Sequence, residues 1–490
     1  MTASRPWSKH EIIQHALVFV CLVVVYPLVL VKNFRNYDTD SFWQITLGRY
    51  ILQTGHIPTH AVFSYLGNLP YISQEAGFQI IAGLFYNWMG WDGLRLIFVI
   101  CLFFVIWGLY QLILLSRSDL GLDGFPIIGH LLVLVIVMFI SQYYVFRPQM
   151  LSTPFVIWFV IFGRRFGANP RPKRMLPLVA ISWIVANVHA GVWPILPVFF
   201  MVELIASIRS RRLNVWFFVT VVLMIAVALL NPGGWTNITY FFHITSHQAY
   251  ALIQEWQPVN YLEFKPMLIV FLVFIASLVT TRSMSWFRLG FALCITALGV
   301  STYKLWLYFA LFVIYFVRLP NSPRQSLRKG STLVIVALSL AITLAVGFYG
   351  RYPIPDGPNG FPVDEMNYIL KHNAHPKVLA PYGVGGYIIF RGGYDFVDGR
   401  FDPFISKAST LTSYRGLTAV DEELDIFAGN MTVLTYEIKE NRPDYIIVPI
   451  DTTKIPGVLY QEMTQHYGRP NYQGPYGYVW NLSKTASATS

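Results

Sequence analysis

The sequence predicts an α-helical bundle that crosses a membrane many times, followed by a C-terminal α/β domain outside the cytoplasm. The first observation is composition: the 490 residues are 55% hydrophobic and only 12% charged, whereas soluble domains average about 25% charged. The second is that apolar runs of roughly 17 to 25 residues recur, each long enough to cross about 30 Å of hydrocarbon. The third is that β-branched or aromatic runs alternate with helical ones after residue 350. This composition excludes water-soluble cytosolic, disordered and fibrous proteins.

Length and hydropathy predict about eleven transmembrane helices. The first is kept as a span because it is too long for a signal-peptide core and lacks a small-residue cleavage site. Their expected positions are 12–31, 95–116, 126–145, 148–163, 175–190, 192–208, 214–230, 266–281, 287–302, 304–318 and 331–349.

The positive charge indicates membrane orientation and not a nucleic-acid partner, because the basic residues of this +11 chain fall in short loops between apolar runs. With eleven spans and a cytoplasmic N-terminus, the C-terminal segment lies outside the cytoplasm of an inner or plasma membrane. The other side holds only scattered cations, at Lys32, Arg35, Arg49, Arg147 and Lys265. The expected cytoplasmic basic residues are Arg5, Lys9, Arg117, Arg164, Arg165, Arg171, Lys173, Arg174, Arg209, Arg211, Arg212, Arg282, Arg318, Arg324, Arg328 and Lys329.

Two domains are expected. Residues 1–349 form the transmembrane domain, with long external loops at 32–94 and 231–265, and residues 350–490 form the extracytoplasmic α/β domain. In the first loop, apolar residues at helical spacing predict helices over Ser41–Leu52 and 74–90, the second lying at the membrane interface. In the tail, helices are expected at Asp364–His372, 421–440 and 454–466, and strands at Lys377–Leu379, Gly386–Phe390, Tyr445–Pro449 and Tyr478–Asn481.

The strongest candidates for chemistry are Asp38 and Asp40, which lie just outside the first span. Acidic residues near a membrane interior are costly and therefore mark functional sites. The two carboxylates can share a cation, or one can act as a base while the other caps a helix. The alternative is that both only cap the helix that starts near Ser41.

The first loop resembles that of the GT-C superfamily, membrane glycosyltransferases that use lipid-linked sugars and include the catalytic subunits of oligosaccharyltransferases. It is most similar to bacterial polytopic proteins with D-x-D-x-x-W followed by G-x-x-I-x-x-x-G-x-I-P. Those positions are Asp38, Asp40, Trp43, Gly48, Ile51, Gly55, Ile57 and Pro58. Shorter matches are Phe63-Ser64, Gln74-Glu75, Arg147-Pro148-Gln149, the NVHAG stretch 187–191, Asn231-Pro232-Gly233, Glu255-Trp256 and Asp398-Gly399-Arg400.

This resemblance implies a GT-C-like fold and transfer of a sugar from a polyprenyl-phosphate or -diphosphate carrier to a lipid, glycan or protein acceptor. Asp40 is implied as the general base, with Asp38 as its partner or as a metal ligand. The tail contains no Trp-Trp-Asp acceptor motif, which argues against N-glycosylation of protein sequons. Where similar proteins have a histidine after the tryptophan, this chain has Gln44.

The other candidate residues are substrate contacts. Arg147 and Lys304 stand at the outer ends of spans and can hold the leaving phosphate. Lipid-headgroup snorkelling explains Arg147 equally well and is the favoured alternative for Lys304. His189 and Glu255 lie near the outer face. His189 is either a contact or a hydrogen-bonded structural residue, and Glu255 is an acceptor contact or, with Asp38, a ligand of Mg or Mn. Trp43 is a candidate contact through the motif.

Two other functions fit a polytopic membrane protein. A flippase or polysaccharide transporter is disfavoured because the sequence shows no internal repeat and its charges collect at the outer face. A non-catalytic envelope scaffold would tolerate changes at Asp38, Asp40 and Arg147 together. The lipid bilayer is an expected partner in all three cases.

Overall fold

The computed structural model describes residues 38–122, 127–140, 145–244, 254–281, 284–319, 354–357, 359–405, 418–450 and 457–483. These residues divide into two compact units. The helical unit contains the described residues from 89 to 319. The mixed unit contains residues 38–88 together with the described residues from 354 onwards, so the first loop folds with the C-terminal segment. The predicted domain boundary at residue 349 refers to a membrane and stays a prediction.

The helical unit consists of α-helices with buried apolar and aromatic side chains. Pro148 and Pro172 each start a helix, a position where the missing N–H is not needed, whereas Pro154 and Pro177 lie inside those same two helices. Its helices are α3 (Trp91–Asp119), α4 (Ile127–Ile140), α5 (Pro148–Ala168), α6 (Pro172–Val188), α7 (Ile195–Arg209), α8 (Val215–Ala228), α9 (Trp235–Ile244), α10 (Lys265–Val279), α11 (Trp286–Ser301) and α12 (Tyr303–Val313), with 3₁₀ turns at Ala190–Val192 and Gln254–Trp256.

Two described helical stretches, Trp91–Asp119 and Ala190–Arg209, are long and apolar enough to cross a membrane by length and composition. Four further helices are apolar but shorter: Val215–Ala228, Lys265–Val279, Trp286–Ser301 and Tyr303–Val313. A buried core helix of a soluble protein passes the same test, so the bundle of about eleven spans stays a prediction. The expected spans 12–31 and 331–349 lie outside the described residues, as does part of 126–145.

The mixed unit is built around a five-stranded mixed sheet in the order β2-β1-β3-β5-β4. β1 pairs parallel with both β2 and β3, and β5 runs antiparallel to β3 and β4. The strands are β1 (Lys377–Leu379), β2 (Tyr394–Asp395), β3 (Tyr445–Pro449), β4 (Tyr472–Gln473) and β5 (Gly477–Asn481). The helices of this unit are α1 (Thr39–Thr54), α2 (Ala76–Met89), α13 (Val363–His372), α14 (Tyr382–Phe390), α15 (Asp402–Ile405), α16 (Ala419–Phe427), α17 (Met431–Asn441) and α18 (Val458–Tyr467).

The first loop extends this sheet at its β2 edge. The Asp395 N–H donates to the Phe63 carbonyl over 3.0 Å, and the Tyr65 N–H donates to the Asp395 carbonyl over 3.1 Å. Ser64 forms a parallel bridge with Asp395, and its hydroxyl donates to the Phe396 carbonyl. The predicted loop helices α1 and α2 are confirmed, and this pairing holds them against the tail.

The strand predicted at Gly386–Phe390 is wrong, because these residues lie in α14. The reason is topological. β1 and β2 are parallel neighbours, and parallel strands need a crossover connection, which is usually a helix. The continuous helix expected over 421–440 is two helices, α16 and α17, separated by Gly429 at φ +100°. The other three predicted strands and the helix at Asp364–His372 are confirmed.

Candidate functional site

Asp38 and Asp40 stand at the start of α1 and have different hydrogen-bond partners. Asp38 is the N-cap, with φ −105° and ψ 138°, and its side chain accepts from the Asp40 N–H over 3.2 Å. Asp40 lies in the first helical turn, where the helix dipole favours a negative charge. Its Oδ1 accepts a hydrogen bond from Trp43 Nε1 over 3.1 Å. The capping interpretation therefore holds for Asp38.

The first turn of α1 lies against two glycine-containing segments of the tail. The hydroxyl of Thr39 donates to the carbonyl of Gly383 at the start of α14. Gly399, in the Asp-Gly-Arg segment, lies beside the Asp40 carboxylate. Burial raises the pKa of Tyr382, and the negative charges of Glu423 and Asp40 raise it further, which puts Tyr382 in the same neighbourhood.

The Asp-Gly-Arg segment contains an internal salt bridge. Arg400 Nε donates to the two carboxylate oxygens of Asp398 over 2.8 and 3.0 Å, and both side chains are fully buried. Arg400 also packs over the ring of Tyr71 at 5.5 Å. Gln44, the residue that replaces a histidine, donates to Glu75, so both belong to the packing of the first loop.

In the helical unit, Arg147 and Glu255 form an ion pair in which both side chains are partly exposed. Arg147 is the N-cap residue of α5, and Glu255 lies in the 3₁₀ turn before α10. Burial raises the pKa of the Glu255 carboxyl, but the charges of Arg147 and Lys304 outweigh it, so the pKa lies below its ordinary value. The Lys304 ammonium stands 4.7 Å from the centre of the Trp256 ring, a cation–π geometry.

His189 is buried at the end of α6 and has two hydroxyl neighbours in its network. Its Nδ1 lies 2.9 Å from Ser152 Oγ, which is 3.3 Å from the Tyr308 hydroxyl. The charge of Lys304 is near enough to act on both His189 and Glu255. This network supports the structural interpretation of His189, which also lies within reach of the Lys304 charge.

The predicted residues thus form two groups. Asp38, Asp40 and Trp43 lie together in the mixed unit. The other four substrate-contact candidates lie together in the helical unit: Arg147, Lys304, His189 and Glu255. Sequence reasoning missed Ser152 and Tyr308, because single hydroxyls in apolar helices carry no pattern. It also missed the glycines beside α1, although Gly399 lies in the short Asp398-Gly399-Arg400 match.

Within the described ranges, no group of three or more His, Cys, Asp or Glu side chains is placed to hold a metal ion. The roles of Asp38 and Glu255 as ligands of a divalent cation stay predictions. Asp38 already accepts the capping bond and Glu255 binds Arg147, so each would offer a metal only its remaining oxygen lone pairs.

Comparison with known proteins gives a similarity of fold. No family model matches the chain, and no curated protein matches it. Among solved structures, the chain is similar to the crystal structure of the Archaeoglobus fulgidus oligosaccharyltransferase in complex with Zn and sulfate. The TM-score is 0.54 at 11% sequence identity, over 96% of this chain and 72% of that chain. The chain therefore has a fold similar to that of this oligosaccharyltransferase, in agreement with the fold that the first-loop resemblance implied.

Proposed function

We propose that this protein is a GT-C-type membrane glycosyltransferase. It would move a sugar from a polyprenyl-phosphate or -diphosphate carrier to an acceptor outside the cytoplasm, with the bilayer as its surroundings. The observation that carries the proposal is Asp40, an acid in the first turn of α1 in a chain whose fold is like that of an oligosaccharyltransferase. The acceptor class is lipid, glycan or protein.

In the proposed reaction, Asp40 accepts the proton of the acceptor hydroxyl while the oxygen of this hydroxyl attacks the anomeric carbon of the sugar. The bond from this carbon to the phosphate oxygen breaks, and the electron pair stays on the leaving phosphate. The indole N–H of Trp43 fixes one oxygen of Asp40, so the carboxylate is oriented before the acceptor binds. Orienting a base in this way lowers the entropic cost of the proton transfer.

The leaving phosphate needs positive charge, which we assign to Arg147 and Lys304. A phosphate would compete with Glu255 for Arg147, since Arg147 and Glu255 form an ion pair in the structure. His189 and Glu255 are proposed to shape the site around these cations. A divalent cation, Mg or Mn, is proposed as an additional charge carrier, for which Asp38 and Glu255 are the candidate ligands.

The test is release of free polyprenyl phosphate or diphosphate by the purified full chain in nanodiscs, using a panel of polyprenyl-linked sugars with membrane extract as the acceptor source. Asp40→Asn keeps the size of the side chain and should lower the rate by about 10²- to 10⁴-fold. Glu263→Gln is the control, because Glu263 is an exposed carboxylate bonded to Asn260. Full activity of Asp40→Asn would show that the base is wrongly assigned. A wild-type chain that consumes none of the donors would contradict the proposed function.

A further inference from the structure

The turn Asp398–Arg400 of the tail stands directly against the Asp40 carboxylate. A β-carbon added at Gly399 would lie 2.5 Å from Asp40 Oδ1 and 3.3 Å from Trp43 Nε1. Both atoms belong to the hydrogen bond that orients Asp40. A side chain at residue 399 therefore cannot coexist with this orientation of the carboxylate.

The turn itself has little freedom to move away. Asp398 and Arg400 are fully buried and joined by several hydrogen bonds, including one from the Arg400 N–H to Asp398 Oδ1 over 2.9 Å. Phe401 has a left-handed backbone at φ +59°, which a phenylalanine adopts only when its surroundings hold it there. The side chain of Asp40 is the softer partner, because only its χ angles need to change.

A second glycine packs against the same helical turn but against its backbone. A β-carbon at Gly386 would lie 2.5 Å from the Thr39 carbonyl oxygen and 3.3 Å from Trp43 Cδ1. Relief here requires a shift of α1 or α14 as a whole. The two glycines therefore differ in their effects, since Gly386 sets the distance between the helices and Gly399 sets the direction of one side chain.

We propose that the C-terminal domain positions the base, and that Gly399 is the positioning residue. The Asp398–Arg400 turn holds Asp40 in the rotamer in which Trp43 can donate to it, and in this way the tail acts in the reaction without touching substrate. This inference rests on the proposed function for the role of Asp40, but the position of the carboxylate can be measured separately.

The direct measurement is labelling of Asp40 by a water-soluble carbodiimide with glycine ethyl ester, followed by peptide mass spectrometry. Gly399→Ala should change the labelling rate of Asp40 several-fold, because its carboxylate must leave the indole N–H. Gly383→Ala is the matched control, since a β-carbon there meets nothing within 4 Å. Both variants should keep the melting temperature of the full chain, and equal labelling of Asp40 in the two would overturn the inference.

The second measurement separates positioning of a base from general damage. Transfer to a hydroxyl acceptor should fall about 10- to 100-fold in Gly399→Ala, as expected for a displaced catalytic group, with KM for the donor unchanged. Azide needs no deprotonation: it attacks the anomeric carbon, the bond to phosphate oxygen breaks and the phosphate leaves with the electron pair. Sodium azide should therefore restore donor cleavage in Gly399→Ala and in Asp40→Asn. Failure of azide in Gly399→Ala, where it rescues Asp40→Asn, would overturn the positioning role and leave the proposed function intact. Full activity of Asp40→Asn would overturn the assignment of Asp40 as the base, and a wild-type chain that consumes no donor would overturn the proposed function, whatever the labelling shows.

Discussion

Two helices of the mixed unit approach each other closely at two glycines, Gly48 of α1 and Gly83 of α2. A β-carbon at Gly48 would lie 1.8 Å from the Gln79 carbonyl oxygen and 2.9 Å from the Gly83 nitrogen. A β-carbon at Gly83 would lie 2.5 Å from the Gly48 carbonyl carbon. All these neighbours are backbone atoms, so neither methyl group can be accommodated by a side-chain rotation. Gly48→Ala must separate the two helices.

The size of the effect follows from the distance. An ordinary contact needs about 3.4 Å, so the helices must move apart by about 1.6 Å at this point. Over-packing of this kind costs typically 1 to 3 kcal/mol and occasionally more. At about 2 kcal/mol, a folding unit of this size loses roughly 4 to 8 °C in melting temperature. We expect this loss for Gly48→Ala in the purified full chain, together with faster proteolysis in the first loop.

Gly163→Ala is the matched control, because Gly163 lies inside α5 and its added β-carbon would meet nothing within 4 Å. Alanine in a helix interior is about 0.5 to 1 kcal/mol better than glycine, so the control should be as stable as the wild type or slightly more stable. The double variant Gly48→Ala/Gly83→Ala should cost less than the sum of the single variants, since one separation relieves both clashes. A wild-type melting temperature for Gly48→Ala would refute the described helix approach.

Three further predictions concern charged groups. Burial raises the pKa of Glu423 to about 7, so the folded chain keeps a proton that the unfolded chain releases, and stability falls as pH rises from about 4.5 through 7. In thermal melts between pH 4.5 and 8, Glu423→Gln should remove this pH dependence and add roughly 3 kcal/mol of stability at the alkaline end. Arg147→Gln should raise KM for the lipid donor more than it lowers kcat, and an unchanged KM would assign Arg147 to headgroup contact. The same change should raise the pKa of Glu255, because the Arg147 charge lowers that pKa in the wild-type chain. Asp38→Ser keeps a good N-cap for α1 but removes the carboxylate. Loss of the stimulation of activity by divalent cations, with unchanged stability, would support Asp38 as a metal ligand, and retained stimulation would contradict it.

The elements that the sequence predicted correctly have a local cause. Helix α1 has its capping residue Asp38 and an ending glycine, Gly55, whose φ of +71° suits the left-handed turn after a helix. β3 matches its prediction residue for residue, because a run of buried β-branched and aromatic residues in the middle of a sheet needs no information from elsewhere. Periodicity and capping are written in neighbouring residues, so one sequence is enough to find them.

The failures have a non-local cause. Residues Gly386–Phe390 look like a strand by composition, but their state is decided by the parallel pairing of β1 with β2, which the local sequence does not encode. The same is true of the site. Asp40 was found through its motif, whereas its contact with Gly399 joins residues more than three hundred positions apart. A glycine that is needed for close approach has no side chain to mark it, so its role becomes visible only when the packed neighbour is known.

The two acids of the first loop illustrate how a structural role and the proposed catalytic role can be divided within one motif. An N-cap carboxylate is committed, because it must keep facing the N–H groups of its helix to be worth about 1 kcal/mol. In this chain Asp38 takes that position, and its side chain accepts a hydrogen bond from the Asp40 N–H. Asp40 accepts from an indole N–H and faces a glycine, so its orientation is set by side-chain packing and does not depend on capping. A base must bind a proton and release it without unfolding its helix, and this requirement favours the second acid for the proposed role. A spacing of two residues therefore supplies both a cap and a first-turn carboxylate, which gives the D-x-D pattern a physical reason.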